Sequence, residues 1–208
     1  NAVLSIKTEY YNRGLYSVII TPVVTQLERN RVNIEIQISE GSIAKIAAID
    51  FIGNKIYSTN QLRKEMYLTT GNWMSWWYKD NQYSSDKLAG DFEKIRAFYL
   101  NNGYIDFRLN SAQIQLSPDK QSVFITGNII EGEQDRFKSI QLAGDYKDIP
   151  PAVLTPLITV KPGQIINQET LNKNIETIKN TMGNYGYAFA NVNPVPDVNV
   201  KDHAVAYN

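Results

Sequence analysis

One block of residues recurs three times in this chain, and the recurrence restricts the fold to an array of small, similar units. The block is a helical stretch closed by glycine, then a strand, a polar turn and a second strand. Its helix ends read Tyr10-Tyr11-Asn12-Arg13-Gly14, Tyr99-Leu100-Asn101-Asn102-Gly103 and Met182-Gly183-Asn184-Tyr185-Gly186, with the closing glycines 89 and 83 positions apart. The apolar positions repeat with them. Leu88, Phe92, Ile95 and Tyr99 form one helical face and correspond to Leu171, Ile175, Ile178 and Met182. Phe92, Ile95 and Tyr99 correspond to Val3, Ile6 and Tyr10 in the first copy. That copy opens inside its helix, and the third stops partway along a strand, so the chain is expected to be a fragment of a longer protein.

Composition narrows the function. The 21 Lys+Arg balance 21 Asp+Glu. A nucleic-acid binder needs a basic excess to displace counterions, and a basic membrane patch needs the same. Cysteine is absent, which removes disulfides, thiol catalysis and most structural zinc sites. The single histidine, His203, has no accompanying triad, metal-ligand cluster or phosphate loop. No catalytic, cofactor-binding or metal-ligating residues are assigned, and no cofactor is expected.

The middle copy gives the plan of the unit. Lys45 to Ile52 reads as a strand closed by Gly53-Asn54, and Thr59 as the cap of a short helix carrying Leu62 and Met66. A loop with Gly71, Trp73, Trp76 and Trp77 follows. Ser84 or Ser85 caps the long helix, and Gly103 suits its left-handed terminus. Ile105 to Leu116 and Ser122 to Ile130 read as strands joined by Ser117-Pro118-Asp119-Lys120. In the third copy Phe137 to Ala143 is the first strand, Val153 and Leu157 mark the short helix, and Asn167 takes the capping place. The expected fold is α+β: tandem β-α-α-β-β units, each a three-stranded mixed sheet packed on two helices. The expected units are 1–41, the C-terminal half of one; 42–132, a complete one; and 133–208, truncated in its last strand.

Strand phase adds detail. Val32, Ile34, Ile36 and Ile38 alternate with polar residues, as in a half-buried strand. Ile105, Phe107 and Leu109 keep odd phase, whereas Ala112, Ile114 and Leu116 are even, which predicts a β-bulge at Asn110-Ser111. A related irregularity is expected near Thr21-Pro22. Pro22, Pro194 and Pro196 place this strand at a sheet edge, since proline cannot donate to a central ladder. The middle copy has no proline there, so its edge is the one most open to a partner. Asp106, Arg108, Asn110, Ser111, Gln113 and Gln115 are the candidate protein-binding residues on it. Trp73, Trp76 and Trp77 are a possible aromatic contact surface; the blander expectation is that at least two pack beneath their own loop. Asp86-Lys87, Asp91 and Glu93-Lys94 are expected on the solvated face of the long helix. Short junctions at Glu40-Gly41 and Glu131-Gly132 would concentrate bending between copies.

These stretches resemble the POTRA-domain arrays of bacterial outer-membrane barrel assembly factors. The resemblance is carried by Gly53-Asn54, Leu88 to Asp91, Tyr99 to Tyr104, the Arg29 to Val32 turn and the Trp76-Trp77 pair. It covers essentially the whole chain, as part of POTRA 2, all of POTRA 3 and most of POTRA 4. It implies a periplasmic protein-binding scaffold attached to a C-terminal membrane barrel. That scaffold docks BamB-like and other assembly-complex lipoproteins, and guides unfolded outer-membrane proteins by strand addition. A structural spacer array, or the POTRA region of another outer-membrane translocation protein, is the alternative.

Overall fold

The computed structural model describes residues 2–146, 148–199 and 203–207. The element order is α1 (Ala2–Asn12), β1 (Ile19–Leu27), β2 (Arg31–Ser39), β3 (Lys45–Ile52), α2 (Thr59–Lys64), α3 (Ser75–Tyr78), α4 (Ser85–Asn101), β4 (Arg108–Leu116), β5 (Ser122–Ile130), β6 (Arg136–Ile140), α5 (Pro151–Leu154), a 3-10 turn (Thr155–Leu157), α6 (Gln168–Asn184), β7 (Pro196–Asn199) and β8 (Ala204–Tyr207). The strands form a two-stranded sheet, β1-β2, and two three-stranded sheets, β3-β5-β4 and β6-β8-β7. β3 runs parallel to β5, β6 runs parallel to β8, and β7 lies antiparallel to β8. The mixed sheets and paired helices are those the sequence implies.

Two compact units emerge, and neither is a sequence repeat. One comprises residues 1–95 with 109–129; the other comprises 96–108 with 130–208. The division passes through α4.

In the first unit the core follows the amphipathic pattern. Leu88, Phe92 and Ile95 of α4 are buried with Ile46, Ile49 and Phe51 of β3, Leu62 of α2 and Val123, Ile125 and Ile129 of β5. β5 alternates buried and less buried positions along Val123, Ile125, Gly127 and Ile129, because one face of its sheet is covered. In the second unit Phe137, Val160, Ile166, Leu171, Val205 and Tyr207 form one cluster, and Ile149, Leu154 and Ile178 another.

Several expectations are corrected. Ser58, not Thr59, caps α2, in a reciprocal capping box with Gln61. The β1–β2 ladder runs unbroken from Ile19↔Ser39 to Leu27↔Arg31, through Pro22↔Ile36, so no irregularity occurs near Thr21-Pro22. Register shifts do occur in the first strand of the unit, between Ile46 and Ala48 in β3 and between Phe137 and Ser139 in β6. The extra residues, Ala47 and Lys138, occupy corresponding places, and the shift explains why Ile46 and Ile49 are buried together. Val32, Ile34, Ile36 and Ile38 are all exposed, because among the described residues β2 has only β1 beside it and α1 contributes no buried residue. In the third copy β6 ends at Ile140, not Ala143, and 188–195 form no strand; β7 starts at Pro196. The prolines there shorten α5 to four residues, and Leu154 fills the core where Val153 and Leu157 are only partly buried.

The long helix also carries a buried charge that its sequence concealed. Asp91 is 1% exposed, while Asp86, Lys87, Glu93 and Lys94 lie on the solvated side as expected. Its carboxylate accepts from the backbone N–H groups of Tyr67 and Leu68, both at 2.7 Å, and pairs with Lys94 Nζ at 2.8 Å. It thereby holds the chain leaving α2 against α4. Asn174 occupies the matching place in α6. With its amide oriented to satisfy both ends, its nitrogen donates to Thr159 Oγ1 (3.0 Å) and Leu157 O (3.2 Å), and its oxygen accepts from Thr159 N (3.2 Å). Replacing Asp91 by Ala strands one buried and one partly buried donor, so D91A is expected to lose about 2–5 kcal/mol in urea denaturation. D91N, which keeps one acceptor oxygen as Asn174 does, is expected to lose less; equal losses would show that the hydrogen bonds are not what matters.

Candidate protein-binding edge

β4 is the outer strand of its sheet, with β5 on one side and, among the described residues, no strand on the other. The Ser117–Lys120 turn sets this hairpin. Lys120 takes a positive φ of 59°, and the Asp119 carboxylate accepts from Ser117 Oγ and Gln121 N. Those two bonds hold the Asp119 carboxyl below its ordinary range. Phe107, just before β4, is buried and stacks on Tyr99 at 4.2 Å between ring centroids. Beyond Leu109, which is partly buried, every β4 residue is exposed, including Ile114 and Leu116. The strand therefore leaves the cover of the helices and presents both faces as well as its outer backbone.

The candidate binding residues fall on this feature. Arg108, Asn110, Ser111, Gln113 and Gln115 are exposed in β4, and Asp106 is exposed in the turn before it. Ser111 is not wholly available, since its hydroxyl accepts from Asn128 Nδ2 at 2.9 Å. The sequence pattern places Ile105 at the start of this strand, in phase with Phe107 and Leu109. Ile105 precedes the strand and packs instead against the cluster of Phe137, Val160 and Leu171 from the third copy.

The three tryptophans do not pack beneath their loop. Trp73, Trp76 and Trp77 are 83%, 74% and 69% exposed. The four-residue helix α3 carries the last two, in an edge-to-face contact at 5.4 Å. Its core-facing residue is Ser75, whose hydroxyl accepts from Asn72 N at 2.8 Å.

A repeated contact set that sequence reading missed joins successive copies. Ala44 N donates to Gly14 O at 2.9 Å, and Asp135 N donates to Gly103 O at 2.8 Å. Gly14 and Gly103 have φ of +81° and +90° and are tightly enclosed: an added Cβ would lie 2.7 Å from Tyr83 O in one and 2.7 Å from the Ile165 side chain in the other. Two residues on, Tyr16 meets Tyr83, as Ile105 meets the third copy's core. Burial raises the Tyr16 pKa, with the Tyr83 hydroxyl adding to it. Tyr99 donates to the buried Glu131 carboxylate at 2.7 Å, and a hydrogen bond to Glu40 raises the Tyr10 pKa in the corresponding pair. Asn101 Oδ1 accepts from Glu169 N at 2.9 Å, capping the first turn of α6 from the end of α4. The recurring Tyr and Glu, 30 to 32 positions apart, were the available signal for this junction.

His203 Nδ1 lies 3.9 Å from Asp135 Oδ1, and burial raises the Asp135 pKa, with Asp106 adding to it and His203 opposing it. Among the described residues, no group of three or more His, Asp or Glu side chains could hold a metal ion.

Gly103→Ala is expected to lose about 2–4 kcal/mol by denaturant titration and to speed amide exchange at Asp135, because it strains the backbone and crowds Ile165. Gly90 lies inside α4 with nothing near its Cβ position, so Gly90→Ala should instead gain about 0.5–1 kcal/mol.

Comparison with known proteins agrees with this architecture. The family model described as POTRA, surface antigen variable number repeat, matches residues 44–132 and 136–208. The chain is 41% identical, over 96% of its length, to the outer membrane protein assembly factor BamA of Neisseria meningitidis serogroup B. It is 28% identical over 87% of its length to BamA of Buchnera aphidicola. The chain spans 25% and 29% of those relatives. The crystal structure of Haemophilus influenzae BamA POTRA3-5 superposes with a TM-score of 0.68 at 27% identity, covering 79% of this chain and 64% of that one. With its units matched by family model, sequence and fold, the chain belongs to the POTRA family.

Proposed function

We propose that this chain is a periplasmic protein-binding region of an outer-membrane protein assembly factor, and that β4 is where extended partner or client segments add as a further strand. The observation that carries the reading is the exposed edge itself: nine residues, no proline, and, among the described residues, no strand on the outer side. Backbone pairing supplies affinity with little demand on partner sequence, which suits an acceptor of many unfolded outer-membrane proteins. Arg108, Asn110, Gln113 and Gln115 flank the backbone and tune selectivity, with Asp106 at the entrance. Lipoprotein partners of the BamB type are candidate ligands of the same edge. The relatives' names, assembly factors of outer membrane proteins, support the setting. No helix among the described residues is long and apolar enough to cross a membrane.

A second reading, that the repeats act as a spacer, draws on the junctions. Each is cross-linked by a backbone hydrogen bond and a Tyr–Glu contact, which suits spacing as well as binding.

Arg108 is the first residue of β4, where proline is well tolerated, so the discriminating test lies further along. Proline is placed separately at Ala112 and Gln113. Successive N–H groups point to opposite sides of a strand, so one variant breaks the ladder to β5 and the other removes only an outward donor. The variant that retains full stability is expected to lose capture of unfolded outer-membrane protein peptides by at least about tenfold. Undiminished capture by that variant would refute strand addition and favour the spacer.

A further inference from the structure

The aromatic surface around α3 is separate from the β4 edge, and strand addition leaves it unexplained. We propose that Trp73, Trp76 and Trp77, with Tyr67 and Tyr78, form a contact for the interfacial region of a phospholipid bilayer. Three observations carry this. First, the rings project rather than line a cleft, since each tryptophan is more than two-thirds exposed. A protein partner that bound them would have to supply the pocket, whereas a bilayer interface yields to any shape. Second, every ring in the set carries an N–H or O–H beside a large apolar body, the chemistry that places Trp and Tyr at headgroup depth. Tyr67 and Tyr78 are 44% and 56% exposed and are tied together by the Tyr67 hydroxyl donating to Tyr78 O at 3.2 Å. Third, ammonium groups flank the rings. Lys87 Nζ lies 4.9 Å from the Tyr67 ring centroid, and the exposed Lys79 closes α3 in a left-handed turn with φ of 52°; Lys94 Nζ, 5.8 Å from the same ring, is held by the Asp91 carboxylate. Long lysines beside aromatics can reach phosphate while their stems lie along the rings.

The rings carry the affinity and the few flanking lysines only orient it, because isolated exposed charges are screened by salt. An interfacial contact also explains the unusual construction of the loop. Asp91 anchors its first residues, the buried Ser75 holds α3 from beneath, and the rings turn outward from a fixed base. From the proposed function it takes only that a bilayer is within reach.

The chain offers a direct readout, because its three tryptophans are the three at this surface. Tryptophan emission of the 208-residue chain is followed as vesicles of phosphatidylethanolamine and phosphatidylglycerol are added, with and without brominated acyl chains. The expected result is a shift to shorter wavelength, quenching by bromines near the headgroups, and persistence in high salt. In parallel, a Trp73→Ala, Trp76→Ala, Trp77→Ala variant is tested by co-sedimentation with the same vesicles. It should keep the parent's circular dichroism and lose vesicle affinity by about tenfold or more. An unchanged spectrum, binding abolished by salt alone, or equal sedimentation of the variant would each overturn the proposal. So would a shift produced by an unfolded outer-membrane protein and not by vesicles, which would assign the surface to protein. Strand capture by β4 is measured separately with the proline variants, so either idea can fail without the other.

Discussion

The structure depends on one backbone arrangement used twice: a helix-terminal glycine in the left-handed region whose carbonyl accepts from the first residues of the next copy. At Gly14 and Gly103 only glycine avoids both the φ penalty and the crowding by Tyr83 or Ile165. The bond directs the following chain so that Tyr16 or Ile105 meets the next copy, and the Tyr–Glu contacts close around it. A core residue of one repeat is thus supplied by its predecessor.

Within a copy, a second recurring device fixes the connection after the short helix. A buried acceptor on the long helix takes backbone N–H from the segment leaving the short one. Asp91 does this with a carboxylate and Asn174 with an amide. The geometry is shared although the chemistry differs, because the need is for an oxygen at that place. The same anchoring steadies the base of the loop that projects Trp73, Trp76 and Trp77. An exposed aromatic surface and an exposed strand edge are thereby held by a scaffold whose polar groups are satisfied beneath them.

Periodicity determined much of this by itself. Leu88, Phe92, Ile95 and Tyr99 were legible as a buried helical face, Gly103 as its terminus, Asn167 as a cap, and β4 as an edge strand. Each rests on local geometry: the turn of a helix, the conformational freedom of glycine, a side chain reaching its own backbone. The first-strand bulge also has a local signal, in the spacing of Ile46, Ile49 and Phe51, whose burial does not follow strict alternation.

The three-dimensional packing decided the rest, because identical residue types serve opposite environments. Asp91 sits among charged neighbours on a polar-looking arc, and only the backbone of Tyr67 and Leu68 folding over it makes burial favourable. Trp73, Trp76 and Trp77 have the composition of a small core, yet nothing folds over them. Val32, Ile34, Ile36 and Ile38 alternate as a half-buried strand should, but alternation states a preference, and burial needs a covering surface that β1 and α1 do not provide. Ile105 follows the phase of its own strand and is claimed by another copy's core. Local sequence sets what each segment tends to be; which faces meet depends on contacts between residues far apart in the chain, and those the sequence period does not encode.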